Sequence, residues 1–324
     1  MTDTQTILDL EKTKIIELFD LDRAARRIRD AYIASSKGDV QTADVGHLSF
    51  PEVKGDCHIK SGHITGSDSY VIKIASGFYD NPSVGFPSSN GMMLAFSSQT
   101  GMPQSILRDE GWLTDMRTAI GGAIAALALA RADATQVLIV GTGTQARLQA
   151  CCLNDLAPNR KLEFQIWGRD AVKAKSVVAE LEKSGITASV AVDLPSALGT
   201  ANIITTTTPS TKALFDAGLV CAGTVVIAVG ADGVGKQELP VSLIADADLR
   251  VCDMIRQSIG HGEFQGAVSL DPSIEIIELG TILSGAHPGR ANAREIIVVD
   301  LTGIAAQDIA IAQTIIEAAA SPSL

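Results

Sequence analysis

The chain has 324 residues, with 26 Lys and Arg against 37 Asp and Glu and a formal net charge of -11. That length exceeds the size at which one hydrophobic core stops growing, so two domains are expected. The acidic balance argues against a nucleic-acid partner, because phosphate contacts need clustered Lys and Arg, and it points to a small molecule instead.

The amino terminus, MTDTQTILDLEKTK, lacks a basic start followed by an apolar run. The longest apolar stretch, residues 119–130, is closed by Arg117 and Arg131 and falls well short of the ~20 residues that span a bilayer. A cytoplasmic protein without membrane contact is therefore expected. Five cysteines, an odd total with no CxxC pair and no metal spacing, are expected to be buried thiols in a reducing compartment, with no metal site.

Within residues 15–32, Ile15, Leu18, Leu21, Ala25, Ile28 and Tyr32 step by threes and fours as one helical face does, and Asp20 is placed to cap a second helix if the stretch breaks there. Short apolar runs then alternate with turn signals as far as residue 110, which predicts strands and an α+β character. From Trp112 to Ala130 the apolar spacing predicts one long, largely buried helix. QVLIVG, EFQIWG, ANIITTT and TVVIAVG follow, separated by helical stretches, and this alternation means βαβ units and a doubly wound parallel sheet. The closing EIIVVDLTG and its helix are placed to return to the first domain. The expected fold class is α/β, with a substrate domain over residues 1–115 completed by 301–324 and a dinucleotide-binding domain over 116–300.

Residues 137–150, VLIVGTGTQARLQA, run from a buried strand into Gly141-x-Gly143-x-x-Ala146 and a helix. Gly141 permits a tight turn, Gly143 removes a side chain where phosphate approaches, and Ala146 lets helix and strand pack closely. Gly141, Thr142, Gly143, Thr144, Gln145 and Ala146 are thus candidate cofactor-binding residues, joined by Thr206 and Gly230 at later strand ends. After EFQIWG come Gly168, Arg169 and Asp170. Arg169 can pair with the 2′-phosphate of NADP(H), stack on adenine or sit as a solvated charge, and these residues alone lean towards NADP(H), with Asp170 a candidate ribose ligand if NAD(H) is used.

Asp232, in the loop VGADGVGKQEL, can orient an amine or move a proton, or can simply brace an Asx-turn. Arg117 is suited to grip a carboxylate in a bidentate fork, unless it pairs with Asp109, Glu110 or Asp115. Lys73 lies inside the apolar strand YVIKIASG and must find an anion or an exit to solvent. Three of the five histidines, His47, His58 and His63, fall in one segment together with Lys60; a basic cavity wall and a surface strand with alternating polar residues are both open readings.

DEGWLTDMRTA, VGTGTQA, ADGVGKQEL, HPGR and DLTGIAAQD together resemble the ornithine cyclodeaminase/mu-crystallin family, in order from about residue 40 to 310. The resemblance implies a Rossmann-type domain inserted in a substrate and dimerisation domain, and a homodimer. It also implies a carboxylate clamp at Lys73 and Arg117, a catalytic acid at Asp232 and a pyrophosphate site at Gly141 to Ala146. The sequence departs from the family in its opening segment: His47 stands where many members have an arginine, and His58 where cyclodeaminases place a glutamate. With Lys60 and His63 this wall would attract a second carboxylate rather than an amine. GDCHIKSGH, KIASGFYDNP and SNGMM look like the iminosuccinate reductases, which implies reduction of a dicarboxylic imino acid, iminosuccinate, to L-aspartate, and shifts the cofactor expectation to NAD(H). A cyclodeaminase acting on ornithine or lysine, and a mu-crystallin-like binder of nucleotide and small ligands, are the alternatives.

Overall fold

The computed structural model describes residues 7–320, so the ends of the amino-terminal and closing segments, residues 1–6 and 321–324, lie outside the described residues. The chain forms two compact units, one running to Arg117 and resuming at Ile304, the other spanning Thr118–Gly303. No helix among the described residues is long and apolar enough to cross a membrane.

The first unit opens with β1 (Leu8–Glu11), α1 (Lys12–Leu18) and α2 (Leu21–Lys37). The break between the helices is made by Asp20, whose carboxylate accepts the Arg23 N–H at 2.7 Å as an N-cap. Ala24, Ile28, Ala31 and Tyr32 then form the buried face of α2. Six strands joined by antiparallel pairing complete the sheet: β2 (Val40–Thr42), β3 (Gly46–Phe50), β4 (Gly55–Ile64), β5 (Ser69–Phe78), β6 (Ser89–Ser97) and β7 (Pro103–Arg108). Their order is β1-β7-β6-β5-β4-β2 with β3 on β4, and only β1 and β7 run parallel. The long α3 (Trp112–Leu129) follows.

The second unit is built on a parallel sheet. Its elements are β8 (Gln136–Val140), α4 (Thr144–Leu156), β9 (Glu163–Trp167), α5 (Ala171–Lys183), β10 (Ala188–Val190), α6 (Leu194–Leu198), β11 (Ile203–Thr206) and β12 (Val225–Ala228). Then come α7 (Val241–Asp246), β13 (Leu249–Cys252), α8 (Ile255–His261), α9 (Gln265–Leu270), β14 (Ile277–Glu278), α10 (Leu279–Leu283) and β15 (Ile297–Asp300). In the order β10-β9-β8-β11-β12-β15-β13-β14 the chain runs outward in both directions from β8/β11, with the last strand inserted between β12 and β13. That makes β8/β11 the switch point, where the crevice for a ligand opens at the carboxyl ends of the strands. The central strands are buried on both faces, which is why Val137–Val140, Ile203–Thr206 and Val225–Ala228 read as continuous rather than alternating apolar runs.

The closing α11 (Ala305–Ala320) packs on α2, β4 and β5 of the first unit. Gly62 of β4 permits this approach: a Cβ there would meet Gln41 O at 2.8 Å and Ile309 Cδ1 at 3.3 Å. The expectation of buried thiols holds for Cys57, Cys152 and Cys252 but not for Cys221, which is exposed on the loop before β12. Gly62→Val is expected to lower the stability of the first unit by about 1–3 kcal/mol through overpacking, measured by urea denaturation; an unchanged midpoint would mean that α11 does not pack closely here.

Candidate functional site

A lysine in the middle of a buried strand needs an anion, and α11 brings one. Lys73 is only 2 % exposed, and its Nζ lies 2.9 Å from Asp308 Oδ2. Arg117, also buried and one turn into α3, places its Nε 3.1 Å from Asp308 Oδ1. The start of α11 is tied to this point of α3 by Gln307, whose Nε2 donates to Arg117 O at 3.1 Å while its Oε1 accepts the Ile304 N–H. Arg117 therefore pairs with Asp308 rather than with Asp109, whose carboxylate instead accepts the Leu113 N–H. Asp308 thus sits between two buried cations, one at each of its oxygens. Burial lowers the Lys73 pKa to about 7; Asp308 opposes the fall, while Arg117 and Lys60 add to it. Burial alone would raise Asp308, but the charges of Lys73, Arg117 and Lys60 outweigh it and hold the carboxyl below its ordinary value.

Strand register sets which basic residues share this face. His47 pairs with His58, His58 with Ala75 and Lys60 with Lys73, so His47, His58, Lys60 and Lys73 project to one side of the sheet, the side that meets α11. The His47 and His58 rings stack at 4.7 Å with an interplanar angle of 21°. Asp56 Oδ1 lies 3.8 Å from His58 Nδ1 on the same face. His63 does not join them. Its odd position in β4 turns it to the opposite face, where Nε2 lies 2.8 Å from Ser67 O beside Tyr70 and Ile72.

The dinucleotide motif has the geometry its glycines predict. Gly141 adopts φ 143°, and a Cβ there would stand 2.1 Å from Thr207 Oγ1, so any side chain would be both strained and blocked. Gly143 is the N-cap of α4 and supplies no side-chain cap; a Cβ on it would meet open space. The amino terminus of α4 thus begins beside a cleft lined by Gly141, Thr142 and Gly143, where a helix end can receive an anion. Ala146 is fully buried against the sheet. The cleft, about 670 Å³, is lined by Gly141 to Gly143, Trp167 to Arg169 and Thr207 to Leu214. Arg169 lies exposed at its edge, and Asp170 is engaged as the N-cap of α5, accepting the Val172 and Lys173 N–H groups.

Two candidate cofactor residues lie outside the lining of this cleft. Thr206 is buried and donates its hydroxyl to Glu238 Oε2 at 2.8 Å, and the Gly230 N–H donates to the same oxygen at 2.8 Å. Thr207 and Thr208 occupy the wall instead. Asp232 is exposed on the loop after β12, with Lys236 Nζ 2.5 Å from its Oδ1. Sequence reasoning missed Asp308 and Glu238. Asp308 carried a legible signal, since an acid inside the apolar run IAAQDIAIA needs a cation just as Lys73 needs an anion.

Residues 5–323 match the model of the ornithine cyclodeaminase/mu-crystallin family. A protein of Sinorhizobium fredii named an uncharacterized cyclodeaminase is 38% identical over 314 residues, covering 95% of this chain and 94% of its own. An archaeal alanine dehydrogenase dimer with bound NAD superposes with a TM-score of 0.87 at 31% identity, covering 98% and 97% of the two chains. The iminosuccinate reductase of Paracoccus denitrificans in complex with NAD+ gives 0.86 at 25% identity, covering 97% and 96%.

Asp308→Asn would leave Arg117 buried beside a neutral amide, and a loss of about 3–5 kcal/mol in urea unfolding is expected; a loss below ~1 kcal/mol would mean that the cations reach solvent. With its pKa lowered to about 7, Lys73 should lose its charge as pH rises through that value, and kcat/KM for a carboxylate substrate is expected to fall with it. Stability moves the other way. From pH 7 up to 10.5, the unfolded chain holds the proton that the folded one has released, so stability rises with pH over that window. A kcat/KM flat between pH 6 and 9 would show that the charge on Lys73 does not govern binding.

Proposed function

The chain belongs to the ornithine cyclodeaminase/mu-crystallin family, and from that premise we propose that it is an NAD(H)-dependent reductase of a small dicarboxylic imino acid, converting iminosuccinate to L-aspartate. The observation that carries this reading is the register of β3, β4 and β5, which lines up His47, His58 and Lys60 on the face of Lys73. One carboxylate of the substrate pairs with Lys73 and Arg117, and the other with His58 and Lys60. A fixed positive wall favours a dianion and disfavours an amine at the distal end.

The dinucleotide, when bound, supplies a hydride to C2 of the imine. The chain's residues do the rest. Lys73 and Arg117 fix the α-carboxylate and so the face that C2 presents. Asp232 supplies or relays the proton that keeps the imine nitrogen cationic, and a cationic nitrogen makes C2 electrophilic. The nitrogen leaves as the amine of the product. NAD(H) is the proposed cofactor, in line with the NAD held by the alanine dehydrogenase and the iminosuccinate reductase; an NADP(H) preference would rest on the exposed Arg169 alone.

Asp56 gives a second reading some support, because an acid 3.8 Å from His58 is a contact that a distal amine would use. On that reading the chain is an ornithine or lysine cyclodeaminase that uses NAD catalytically. A homodimer through the first unit is also proposed. The face of its sheet opposite Lys73 carries Ile59, Tyr70, Ile72, Ile74, Met92 and Phe96, half-buried to exposed, and the archaeal neighbour is a dimer.

Oxidation of NADH, compared with NADPH, should be rapid with oxaloacetate plus ammonia and absent with either alone. Ammonia release from ornithine with NAD merely present would instead establish the second reading. His58→Glu is expected to lower kcat/KM for the dicarboxylate about 10- to 100-fold, the range for a lost hydrogen bond to a charged group, and to spare the imine of pyruvate; equal losses would remove the distal-carboxylate role. Light scattering should give twice the chain mass, with Ile74→Glu shifting it to the monomer.

A further inference from the structure

A carboxylate with no exposure to solvent sits behind the cofactor cleft of the second unit. Glu238 is fully buried, and it accepts four hydrogen bonds from two strand ends. Its Oε1 takes the Thr208 N–H at 2.6 Å and the Thr208 hydroxyl at 2.8 Å, and its Oε2 takes the Thr206 hydroxyl and the Gly230 N–H, each at 2.8 Å. Thr206 and Thr208 belong to the end of β11 and the turn after it, which forms one wall of the cleft. Gly230 opens the loop after β12 that carries Asp232, and Glu238 closes the same loop.

The backbone repeats the connection. Leu214 N–H donates to Glu238 O at 2.8 Å, Gln237 N–H donates to Ser210 O at 2.8 Å, and Thr211 pairs with Gln237 as a parallel bridge. Glu238 is itself held from behind: Glu263 accepts the Glu238 N–H at 2.6 Å and the Leu239 N–H at 3.0 Å, and the Glu263 N–H donates to Asp300 Oδ2 at 3.0 Å. Between its fixed ends the loop is open to solvent, with Val234 85% exposed. A Cβ at Gly230 would stand 2.1 Å from Thr208 O and 2.7 Å from Glu238 Oε2, so the two segments touch without room for a side chain.

We infer that Glu238 is a positioning residue that locks the Asp232 loop to the cofactor wall, so that a dinucleotide seated against Thr207 and Thr208 and the acid at Asp232 are held in one register. A neutral, apolar filler would pack the space but leave two backbone N–H groups and two hydroxyls without acceptors. A carboxylate satisfies all four and has no donor of its own to misplace. The inference rests on the reading of Asp232 as the proton-supplying acid.

The test is a double-mutant cycle of Glu238→Gln and Asp232→Asn, read as turnover of NADH with oxaloacetate and ammonia and as the Kd of NADH from its fluorescence. The amide of Glu238→Gln turns an N–H toward the donors of Thr208 or Gly230, so turnover should fall about 10- to 100-fold and NADH should bind more weakly. Adding Asp232→Asn should then cost little more, because the acid is already misplaced. Multiplicative losses, or an NADH affinity and turnover unchanged in Glu238→Gln, would overturn the inference. Asp232→Asn with full turnover would remove the acid reading, and this inference with it, whereas multiplicative losses with an impaired Asp232→Asn would leave that reading standing. If Glu238→Gln does not fold, Thr208→Val removes one donor and keeps the carboxylate; a smaller loss, again non-additive with Asp232→Asn, is expected, and an additive one overturns the inference.

Discussion

The ion triad of Lys73, Asp308 and Arg117 constrains everything around it. Two cations and one anion lie nearly out of reach of water, and desolvation of that kind is tolerated only if the charges nearly cancel. With Lys73 charged the triad is one positive charge in excess, and burial, with Arg117 and Lys60 adding to it against Asp308, draws the Lys73 pKa down to about 7. On the proposed function a substrate carboxylate would supply the missing anion, and the Lys60 charge beside the triad acts in the same direction.

The triad also explains why the chain returns. Asp308 follows the whole second unit in sequence, yet it belongs to the first. Without α11 the strand carrying Lys73 would bury an unpaired cation, so the insertion of one unit within the other is fixed at its closing end by electrostatics as well as by packing. Gly62 and Gln307 are the local adjustments: one lets the helix approach, the other fixes where it starts. In the second unit Glu238 plays the corresponding part, since one buried acid gathers donors from two strand ends that would otherwise be orphaned.

Much of this was legible in the sequence. Gly141 announces the turn and Ala146 the close packing, because each requirement excludes nearly every other residue. The α1/α2 break was signalled by Asp20, a residue type that caps. The face of His63 was not legible: period-2 alternation separates it from His58 and Lys60 once β4 is known to run unbroken, but residues 55–64 alone do not say whether a bulge intervenes. That Thr206 turns to Glu238 while Thr207 lines the cleft was not legible either, since a buried strand end and the first cleft residue carry the same side chain. The partners of Glu238 and Asp308 were hidden because partnership between residues distant in the chain is a property of topology, and a single sequence displays only the unmet need of each.

The claim that a substrate carboxylate completes the charge of the triad can be measured directly as proton uptake. With its pKa drawn down to about 7, Lys73 is expected to be mostly neutral at pH 8 in the free protein, and a bound carboxylate should recharge it. Succinate binding in the presence of NAD+, followed calorimetrically in buffers of different ionisation heat, should draw close to one more proton per site in the wild type than in Lys73→Arg, whose side chain is already charged. Equal uptake by the two proteins would contradict the account and leave Lys73 as a structural partner of Asp308 alone.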